Sequence, residues 1–262
     1  MLAGLASFVA KQPDFRGKSR LLRLLISAMG PVPSHYGPVM RVRAGDYTSW
    51  AALFGYYGEG LRNEILSLPE DGVFIDIGAN VGIYTLIAAR HLSAGMVVSL
   101  EPNPEVYEYL LSNIRLNGAV NVLPINAAVG ARTGILRLNF APDHTGAGYL
   151  SDATADAGSS RMVHVLGAEA LRPVADRLAV GSSLCKIDVE GHELHVLRTL
   201  EQAGLLARLG RLWIEVNEVH LARAGAAPAQ IHEVMERNGF TARASAETAA
   251  SGDVLFVRRQ MN

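Results

Sequence analysis

The chain has 262 residues, of which 49% are hydrophobic and 19% are charged, and its formal net charge is −1. A chain of this length forms one large domain or two small ones, and it buries a core without disulfides. Its near-neutral charge creates no global field for nucleic acid or an anionic membrane, so neither partner is expected. The one cysteine, Cys185, cannot form an internal disulfide, which fits a reducing compartment.

The first 35 residues predict one or two short amphipathic helices. In SRLLRLLISAM the leucines recur at helical spacing, and Arg20 and Arg23 lie on another side. We favour a helix that caps the fold over a membrane-surface or partner-binding helix. Residues 1–60 are therefore predicted to form a helical cap or substrate lid, and a homodimer through these helices is a further expectation.

No stretch of the sequence reaches the roughly 20 apolar residues that span a bilayer. LAGLASFVA is apolar and of signal-peptide length, but no basic side chain precedes it and no small-residue cleavage site follows it. We therefore expect a cytoplasmic protein without a transmembrane segment.

From about residue 72, short apolar segments alternate with helical ones. The segments predicted as strands are VFIDI, MVVSLEP, NVLPINAAV, LCKIDVE, RLWIEVN and DVLFVRR. Such alternation is typical of a parallel sheet that is covered by helices on both faces. The sequence therefore predicts an α/β fold with a doubly wound, Rossmann-like sheet in a domain that covers residues 61–262.

Two segments interrupt this alternation. RTGILRLNF predicts an extra strand, and residues 141–160, which follow it, are rich in Gly, Ala, Ser and Asp. A long structureless loop in a compact domain is usually a lid, a binding loop or a disordered insert. His144 lies in this predicted loop, where a contact with the substrate and a solvated side chain are both compatible with the sequence.

A glycine turn follows the first strand in FIDIGANVGIYT. The spacing from Gly78 to Gly82, with Asn80 between them, lacks the middle glycine that admits a pyrophosphate in dinucleotide sites. The carboxylate of Asp76 would also repel a pyrophosphate, by about 4 kcal/mol at 4 Å and an effective dielectric of 20. S-adenosylmethionine carries an ammonium and a sulfonium against one carboxylate, so the turn favours this cofactor over a dinucleotide.

Glu101 ends the second strand in VVSLEPNPE. An acid at this place accepts hydrogen bonds from the two hydroxyls of an adenosine ribose. A surface carboxylate at a helix N-terminus is the alternative, and the neighbouring glycine turn makes it the weaker one. The two features together predict a bound nucleoside.

These segments together resemble one family. FIDIGANVGIYT, SLEPNPEVYEYLLSNIRLNG, INAAVG and LCKIDVEGHELHVL are similar to the FkbM-type family of S-adenosylmethionine-dependent methyltransferases, over roughly residues 55–220. The resemblance implies the class I methyltransferase fold, a seven-stranded sheet whose last strand runs antiparallel. It also implies methyl transfer, in most cases to an oxygen of a small molecule such as a sugar or a natural product.

The resemblance further implies which residues bind the cofactor. Those expected to line its methionine half are Asp76, Gly78, Asn80 and Gly82. Glu101 would hold the ribose, and Asn126 and Ala127 would lie beside the adenine. Tyr57 and Glu59, in the segment GYYGEG, would close over the cofactor.

We expect the catalytic residues at the carboxyl ends of two later predicted strands, LCKIDVE and RLWIEVN. Asp188 and Glu190 lie in KIDVEG, and Glu215, Asn217 and His220 lie in IEVNEVH. A hydroxyl is a poor nucleophile and benefits from a general base, for which Asp188 and His220 are the candidates. Glu190, Glu215 and Asn217 are expected to contact the substrate.

Alternatives to this interpretation stay open. Asp188, Glu215 and Asn217 would suit a magnesium ion, but they lack a diagnostic spacing, so we favour a site without metal. His192 and His195 form only a weak zinc pattern. The alternative functions are a nicotinamide-dependent oxidoreductase on a similar sheet, and a relative that binds the cofactor without catalysis.

Overall fold

The structure is a computed structural model that describes residues 2–13, 16–44, 46–57, 59–141, 144–151, 159–176, 178, 181–243 and 252–259. Its helices are α1 (Leu2–Lys11), α2 (Lys18–Ser27), α3 (Tyr47–Phe54), α4 (Gly60–Leu66), α5 (Ile83–His91), α6 (Pro104–Leu116), α7 (Ala168–Ala175), α8 (Glu193–Gln202), α9 (Glu218–Arg223) and α10 (Pro228–Arg237). Its strands are β1 (Val32–Pro33), β2 (Val39–Met40), β3 (Val73–Ile77), β4 (Met96–Leu100), β5 (Val122–Ile125), β6 (Ala128–Val129), β7 (Gly134–Ala141), β8 (His144–Ser151), β9 (Ser159–Leu166), β10 (Ser183–Ile187), β11 (Arg211–Glu215), β12 (Phe240–Arg243) and β13 (Asp253–Arg258).

The central sheet has seven strands in the order β12-β13-β11-β10-β3-β4-β5. The last strand, β13, runs antiparallel to both of its neighbours, whereas the pairs from β11 through β10, β3 and β4 to β5 are parallel. This is the class I methyltransferase topology, so the predicted fold is confirmed. The chain winds outward in opposite directions from β3 and β10, and ligands of such sheets bind at the carboxyl ends of the strands near that point.

Apolar side chains cover both faces of the sheet. Phe74 and Leu184 point into a cluster that α5, α6 and the N-terminal helices complete. Ile75 and Ile187 point the other way, into a cluster with α7, α8 and α10. Because successive side chains of a strand alternate between faces, these short apolar strands fill two cores at once.

The N-terminal segment packs on the first of these faces. It contains the two predicted helices, α1 and α2, and a hairpin of β1 and β2 that the sequence did not predict. The Asn113 side chain accepts a hydrogen bond from the Arg41 N–H and donates to the carbonyl oxygens of Arg41 and Val81. Asn113 thereby ties the segment to α6 and to the glycine turn.

A second, four-stranded sheet has the order β6-β9-β7-β8. Its strand β7 confirms the extra strand predicted from RTGILRLNF. The predicted loop over residues 141–160 is wrong where β8 and the start of β9 lie, since β8 pairs with β7 and β9 pairs with both β6 and β7. The physical reason is that Leu138, Phe140 and Val163 bury together with Leu150, which outweighs the low strand propensity of the Gly- and Ser-rich sequence. Residues 142–143 and 152–158 lie outside the described part of the chain.

Among the described residues, none of the helices has both the length and the apolar character needed to traverse a bilayer. The predicted cytoplasmic location stays a prediction.

Candidate cofactor-binding and active site

A cavity of about 350 Å³ opens at the carboxyl ends of β3, β4, β10 and β11. Its wall includes the glycine turn after β3, the ends of β10 and β11, residues of the N-terminal segment, and Leu138, Gly148 and Leu150 of the small sheet. Ligand sites for small molecules have volumes of about 300–1,000 Å³. The cavity therefore has the size of a small-molecule site and lies where this fold binds ligands.

The glycine turn between β3 and α5 forms one side of the cavity. Gly78 has a φ of 82°, and a Cβ placed on it would lie 1.9 Å from the carbonyl oxygen of Asp188. Gly82 has a φ of 91°, and its Cβ would lie 2.5 Å from a Leu110 side-chain carbon. Asn80 also has a positive φ, of 51°, and its side chain accepts from the Val81 N–H. All three predicted turn residues line the cavity.

Glu101 lines the cavity beside this turn. Its Oε2 accepts from the Asn80 N–H at 2.9 Å, and its Oε1 accepts from the Asn103 N–H at 2.8 Å. Burial raises the pKa of Glu101 to about 7, although these two hydrogen bonds act in the opposite direction. Each carboxylate oxygen keeps a lone pair, so Glu101 has the capacity to accept the ribose hydroxyls expected from the sequence.

The Asp76 carboxylate lies behind the cavity wall and is only 1% exposed. Its Oδ2 accepts from the Thr85 hydroxyl at 2.7 Å, and its Oδ1 lies 3.5 Å from the Lys186 ammonium. Strand register explains the pairing, because Asp76 and Lys186 are directly opposite each other on β3 and β10. Asp76 is therefore not part of the cavity wall, and its charge is paired with Lys186 inside the protein. Its predicted contact with the cofactor stays a prediction.

Lys186 connects Asp76 with the cavity. Its ammonium donates to the Gly78 carbonyl oxygen at 2.7 Å and lies 3.3 Å from Asp188 Oδ2. Burial alone would lower the pKa of Lys186, but the carboxylates of Asp188 and Asp76 raise it well above its usual range. Lys186 is therefore a fixed positive charge between two carboxylates.

The end of the cavity that β10 and β11 form is acidic. Asp188, Glu190, Glu215 and Asp253 all line it. The pKa of Glu190 is raised to about 8 and that of Glu215 to about 9. In both cases burial is the larger cause and the charge of Asp188 is the second. The carboxyl groups that crowd this wall raise each other's pKa values, and a positively charged ligand bound beside them would relieve that repulsion.

His220 lies next to this acidic end, although it does not line the cavity. Its Nδ1 is 2.9 Å from Glu190 Oε2 and 3.6 Å from Glu215 Oε2. Burial and the nearby Arg223 lower the pKa of His220, against the opposite effect of Asp188. Of the two predicted bases, Asp188 therefore has the more direct access to the cavity.

Three predicted site residues lie elsewhere. Asn126 donates from its amide to the carbonyl oxygens of Glu101 and Pro102, so it holds the chain after β4, while the neighbouring Ala127 lines the cavity. Glu59 forms ion pairs with Arg62 and His35 and is not part of the wall. The Asn217 side chain accepts from the N–H groups of Val219 and His220, which makes it the N-cap of α9. Its predicted contact with the substrate stays a prediction. Short polar side chains at such positions satisfy the main chain first.

Tyr57 occupies the predicted place over the cavity. Its hydroxyl donates to the Thr48 carbonyl oxygen at 3.0 Å, and its own carbonyl oxygen accepts from the Tyr84 hydroxyl at 3.3 Å. Burial raises the pKa of Tyr57 well above its usual range. The side chain of His144, at the start of β8, lies outside the described part of the structure, so its predicted contact with the substrate stays a prediction.

Sequence reasoning assigned no site role to several wall residues. Lys186, Tyr84, Trp213 and Asp253 all line the cavity. Asp253 pairs with Glu215 because β13 runs antiparallel beside β11. The antiparallel last strand was the signal available in the sequence, because it brings the first residue of β13 to the carboxyl end of β11.

The wall fits S-adenosylmethionine better than a dinucleotide. The glycine turn admits a ligand close to the main chain, Glu101 offers acceptors for a ribose, and the acidic end suits a cation. Because Lys186 is paired with Asp76, the preference for a cation depends on the acidic wall and not on Asp76 alone.

Comparison with known proteins agrees with this geometry. A profile described as "Methyltransferase FkbM domain" matches residues 76–242. Methyltransferase 1 from Beauveria bassiana is 26% identical over 156 residues, covering 53% of this chain and 62% of the relative. The 31-O-demethyl-FK506 methyltransferase FkbM from Streptomyces tacrolimicus is 27% identical over 221 residues, covering 73% of this chain and 81% of the relative.

Other relatives are matched over shorter stretches. The hexuronic acid methyltransferase AglP from Haloferax volcanii is 29% identical over 135 residues, covering 51% of this chain and 52% of the relative. This chain therefore spans less than two thirds of the length of AglP and of the Beauveria methyltransferase.

Among solved structures, Methanocaldococcus jannaschii TYW2 in complex with AdoMet aligns with a TM-score of 0.41 at 16% identity, covering 88% of this chain and 89% of that one. A SAM-dependent O-methyltransferase from Thermotoga maritima aligns with a TM-score of 0.43 at 12% identity, covering 78% of this chain and 66% of that one. The profile match covers more than half of the chain and spans the glycine turn, Glu101 and the end of β10. The chain belongs to the FkbM family of S-adenosylmethionine-dependent methyltransferases.

Proposed function

We propose that this chain transfers the methyl group of S-adenosylmethionine to a hydroxyl oxygen of a small molecule. The observation that carries the proposal is a cavity with an acidic wall beside the glycine turn of β3. An acidic wall attracts the net positive charge of this cofactor and would repel the pyrophosphate of a dinucleotide. When bound, the cofactor supplies an electrophilic methyl group on a good leaving group.

Different residues of the cavity wall bind the adenosine half and the methionine half of the cofactor. Glu101 accepts hydrogen bonds from the ribose hydroxyls, and Ala127 packs beside the adenine. Gly78 and Gly82 line the part of the cavity that we assign to the methionine half. A side chain at either position would clash with protein atoms, so the turn keeps its shape only with glycine there. Tyr57 closes the cavity from the side of the N-terminal segment.

Asp188 is the general base that we favour. Its side chain is 44% exposed, lines the cavity and lies 3.3 Å from the Lys186 ammonium, which holds its orientation. The carboxylate would accept the proton of the acceptor's hydroxyl while the chain holds that oxygen in line with the methyl group.

Two observations support a small acceptor. The bulky side chains of Tyr47, Tyr56 and Leu150 all line the cavity, so the space beside the cofactor is limited. Two relatives carry the names of methyltransferases for 31-O-demethyl-FK506 and for hexuronic acid. A sugar or a natural product is therefore the class of acceptor that we propose.

A substitution at the proposed base tests the chemistry. The full chain is incubated with S-adenosylmethionine and a panel of hydroxylated sugars and natural products, and methylated products are detected by mass spectrometry. Asp188→Asn is expected to lower turnover by at least about 100-fold, the usual contribution of a general base, with a small change in the affinity for S-adenosylhomocysteine. Asp71→Asn, at an exposed site away from the cavity, removes the same charge and should leave turnover unchanged. Full turnover in Asp188→Asn would exclude Asp188 as the base.

A further inference from the structure

We propose that Glu190, Glu215 and His220 form a binding site for one divalent metal ion at the edge of the cavity. One ligand atom from each of the three residues lies within 4.8 Å of the others. Carboxylate oxygens and an imidazole nitrogen together form a donor set that suits first-row divalent ions such as Mn²⁺.

The distances between the donor atoms agree with coordination of a common ion. His220 Nδ1 lies 2.9 Å from Glu190 Oε2 and 3.6 Å from Glu215 Oε2. With metal–ligand bonds of about 2.1 Å, two ligands at right angles are separated by about 3.0 Å. An angle of about 120° gives the longer distance, so both of these separations are compatible with one ion.

These three donor atoms make no hydrogen bond within the described part of the chain. Glu190 Oε2, Glu215 Oε2 and His220 Nδ1 are shielded from solvent, and none makes a hydrogen bond there. A protonated imidazole has a single N–H at Nδ1, which serves one carboxylate and leaves the second without a donor. A metal ion satisfies all three atoms at once.

The main chain is bent to bring these residues together. Glu190 has a φ of 57°, a left-handed conformation that a residue with a side chain adopts at a cost in energy. Gly191 follows it with a φ of 109°, and a Cβ there would lie 2.3 Å from the His220 carbonyl oxygen. The turn after β10 is thereby pressed against α9, which Asn217 starts with its cap. Strain of this kind is common where a site must be held in place.

Three protein ligands leave coordination positions open. The open positions would face the space for the acceptor, because Glu190 and Glu215 both line the cavity. An ion held there would bind an oxygen of the acceptor and favour compounds with two neighbouring oxygens, such as diols or hydroxy acids. This positioning role rests on the proposed function, whereas binding of the ion does not.

Titration with Mn²⁺ alone tests the site. The full chain is stripped of metal with a chelator, and the loss of the free Mn²⁺ signal is followed by electron paramagnetic resonance. We expect saturable binding of one ion per chain. Glu215→Gln and His220→Ala should each weaken binding at least about tenfold, because even the loss of an indirect partner has an effect of that size.

Glu218→Gln is the matched control. Glu218 is exposed, lies three residues after Glu215 and carries the same charge, but it belongs to no cluster of donors in the described structure. Its affinity for Mn²⁺ should equal that of the unaltered chain, and circular dichroism verifies that each variant is folded. No saturable binding by the unaltered chain would overturn the proposal, and so would equal effects of Glu215→Gln and Glu218→Gln.

A parallel titration with S-adenosylhomocysteine separates this proposal from the proposed function. Binding of S-adenosylhomocysteine without binding of Mn²⁺ would overturn the metal site alone. Binding of Mn²⁺ without binding of S-adenosylhomocysteine would support the metal site and contradict the cofactor assignment.

Discussion

Lys186 compensates the charge of Asp76, the buried acid of β3. Its ammonium is 3.5 Å from Asp76, whose carboxylate is 1% exposed. Removing one partner of a buried ion pair leaves an uncompensated charge in the interior. Lys186→Met should therefore lower the free energy of unfolding by about 3–5 kcal/mol, as measured by urea denaturation.

The double variant distinguishes charge from packing. If the unpaired charge of Asp76 causes the loss, adding Asp76→Asn to Lys186→Met should recover part of the stability. Strictly additive losses would show that the side chains act independently and that the pairing contributes little.

Glu101 makes stability depend on pH in a direction opposite to that of a typical carboxylate. Burial raises its folded-state pKa to about 7 from an ordinary value of 4.5, so between these pH values the folded chain retains a proton that the unfolded chain has lost. Stability should then fall as pH rises through this window, by about 3 kcal/mol in total. Below the window both states are protonated, and the residue makes no pH-dependent contribution.

The comparison with Glu101→Gln isolates this effect. We expect the stability of the variant relative to the unaltered chain to improve by about 3 kcal/mol between pH 5 and pH 8 in urea denaturation. A relative stability that stays the same at both pH values would show that burial does not shift this carboxyl group.

The sequence predicts the position of Glu101 beside the glycine turn, but it does not predict contacts between side chains that are distant in the sequence. Glu101 was predicted because it follows a strand that must end beside the glycine turn. The partnership of Asp76 with Lys186 depends on the register of β3 against β10, residues 73–77 and 183–187, which are far apart in sequence. The approach of His220 to Glu190 likewise depends on the packing of a turn against α9, which no local pattern reports.

At the scale of elements, the turn between β3 and α5 depends on glycine for two separate reasons. Gly78 has a positive φ, and a Cβ on it would also lie 1.9 Å from a carbonyl oxygen of the neighbouring strand end. Gly204 has a similar φ of 78°, but a Cβ there meets nothing within 4 Å. The two glycines therefore allow backbone strain and steric clash to be separated.

Gly204→Ala should lower the free energy of unfolding by about 1–2 kcal/mol, the cost of a left-handed residue with a side chain. Gly78→Ala should lower it by clearly more, because the main chain of β10 cannot move without disturbing Lys186. Urea denaturation of the two variants measures the difference. Equal losses would mean that the close approach of the two strand ends is not a constraint.

Elements were predictable where apolar periodicity decides the structure, as in β3, β4 and α6. The prediction failed for β8, where three of the eight residues are glycine or serine and only pairing with β7 creates a strand. It also missed β12, a four-residue strand whose Phe240 alone is buried while the other three residues are exposed. Both elements depend on a neighbouring strand and not on their own sequence.

At the scale of the whole molecule, the N-terminal helices present apolar side chains to solvent. The exposed ones are Leu2, Leu5, Phe8, Leu21 and Leu24. The homodimer through these helices stays a prediction. Analytical ultracentrifugation should show a dimer for the full chain and a monomer for Phe8→Ser combined with Leu24→Ser, since both side chains are more than 60% exposed. A monomer for the unaltered chain would contradict it.

The central claim for the whole molecule is that its cavity binds S-adenosylmethionine. The seven-stranded sheet, the glycine turn and the acidic wall all support this cofactor over NAD, which a similar sheet could otherwise hold. Isothermal titration calorimetry of the full chain with S-adenosylmethionine, S-adenosylhomocysteine and NAD is the most direct test. We predict saturable binding of both sulfur compounds and none of NAD, and binding of NAD without binding of either sulfur compound would contradict the account.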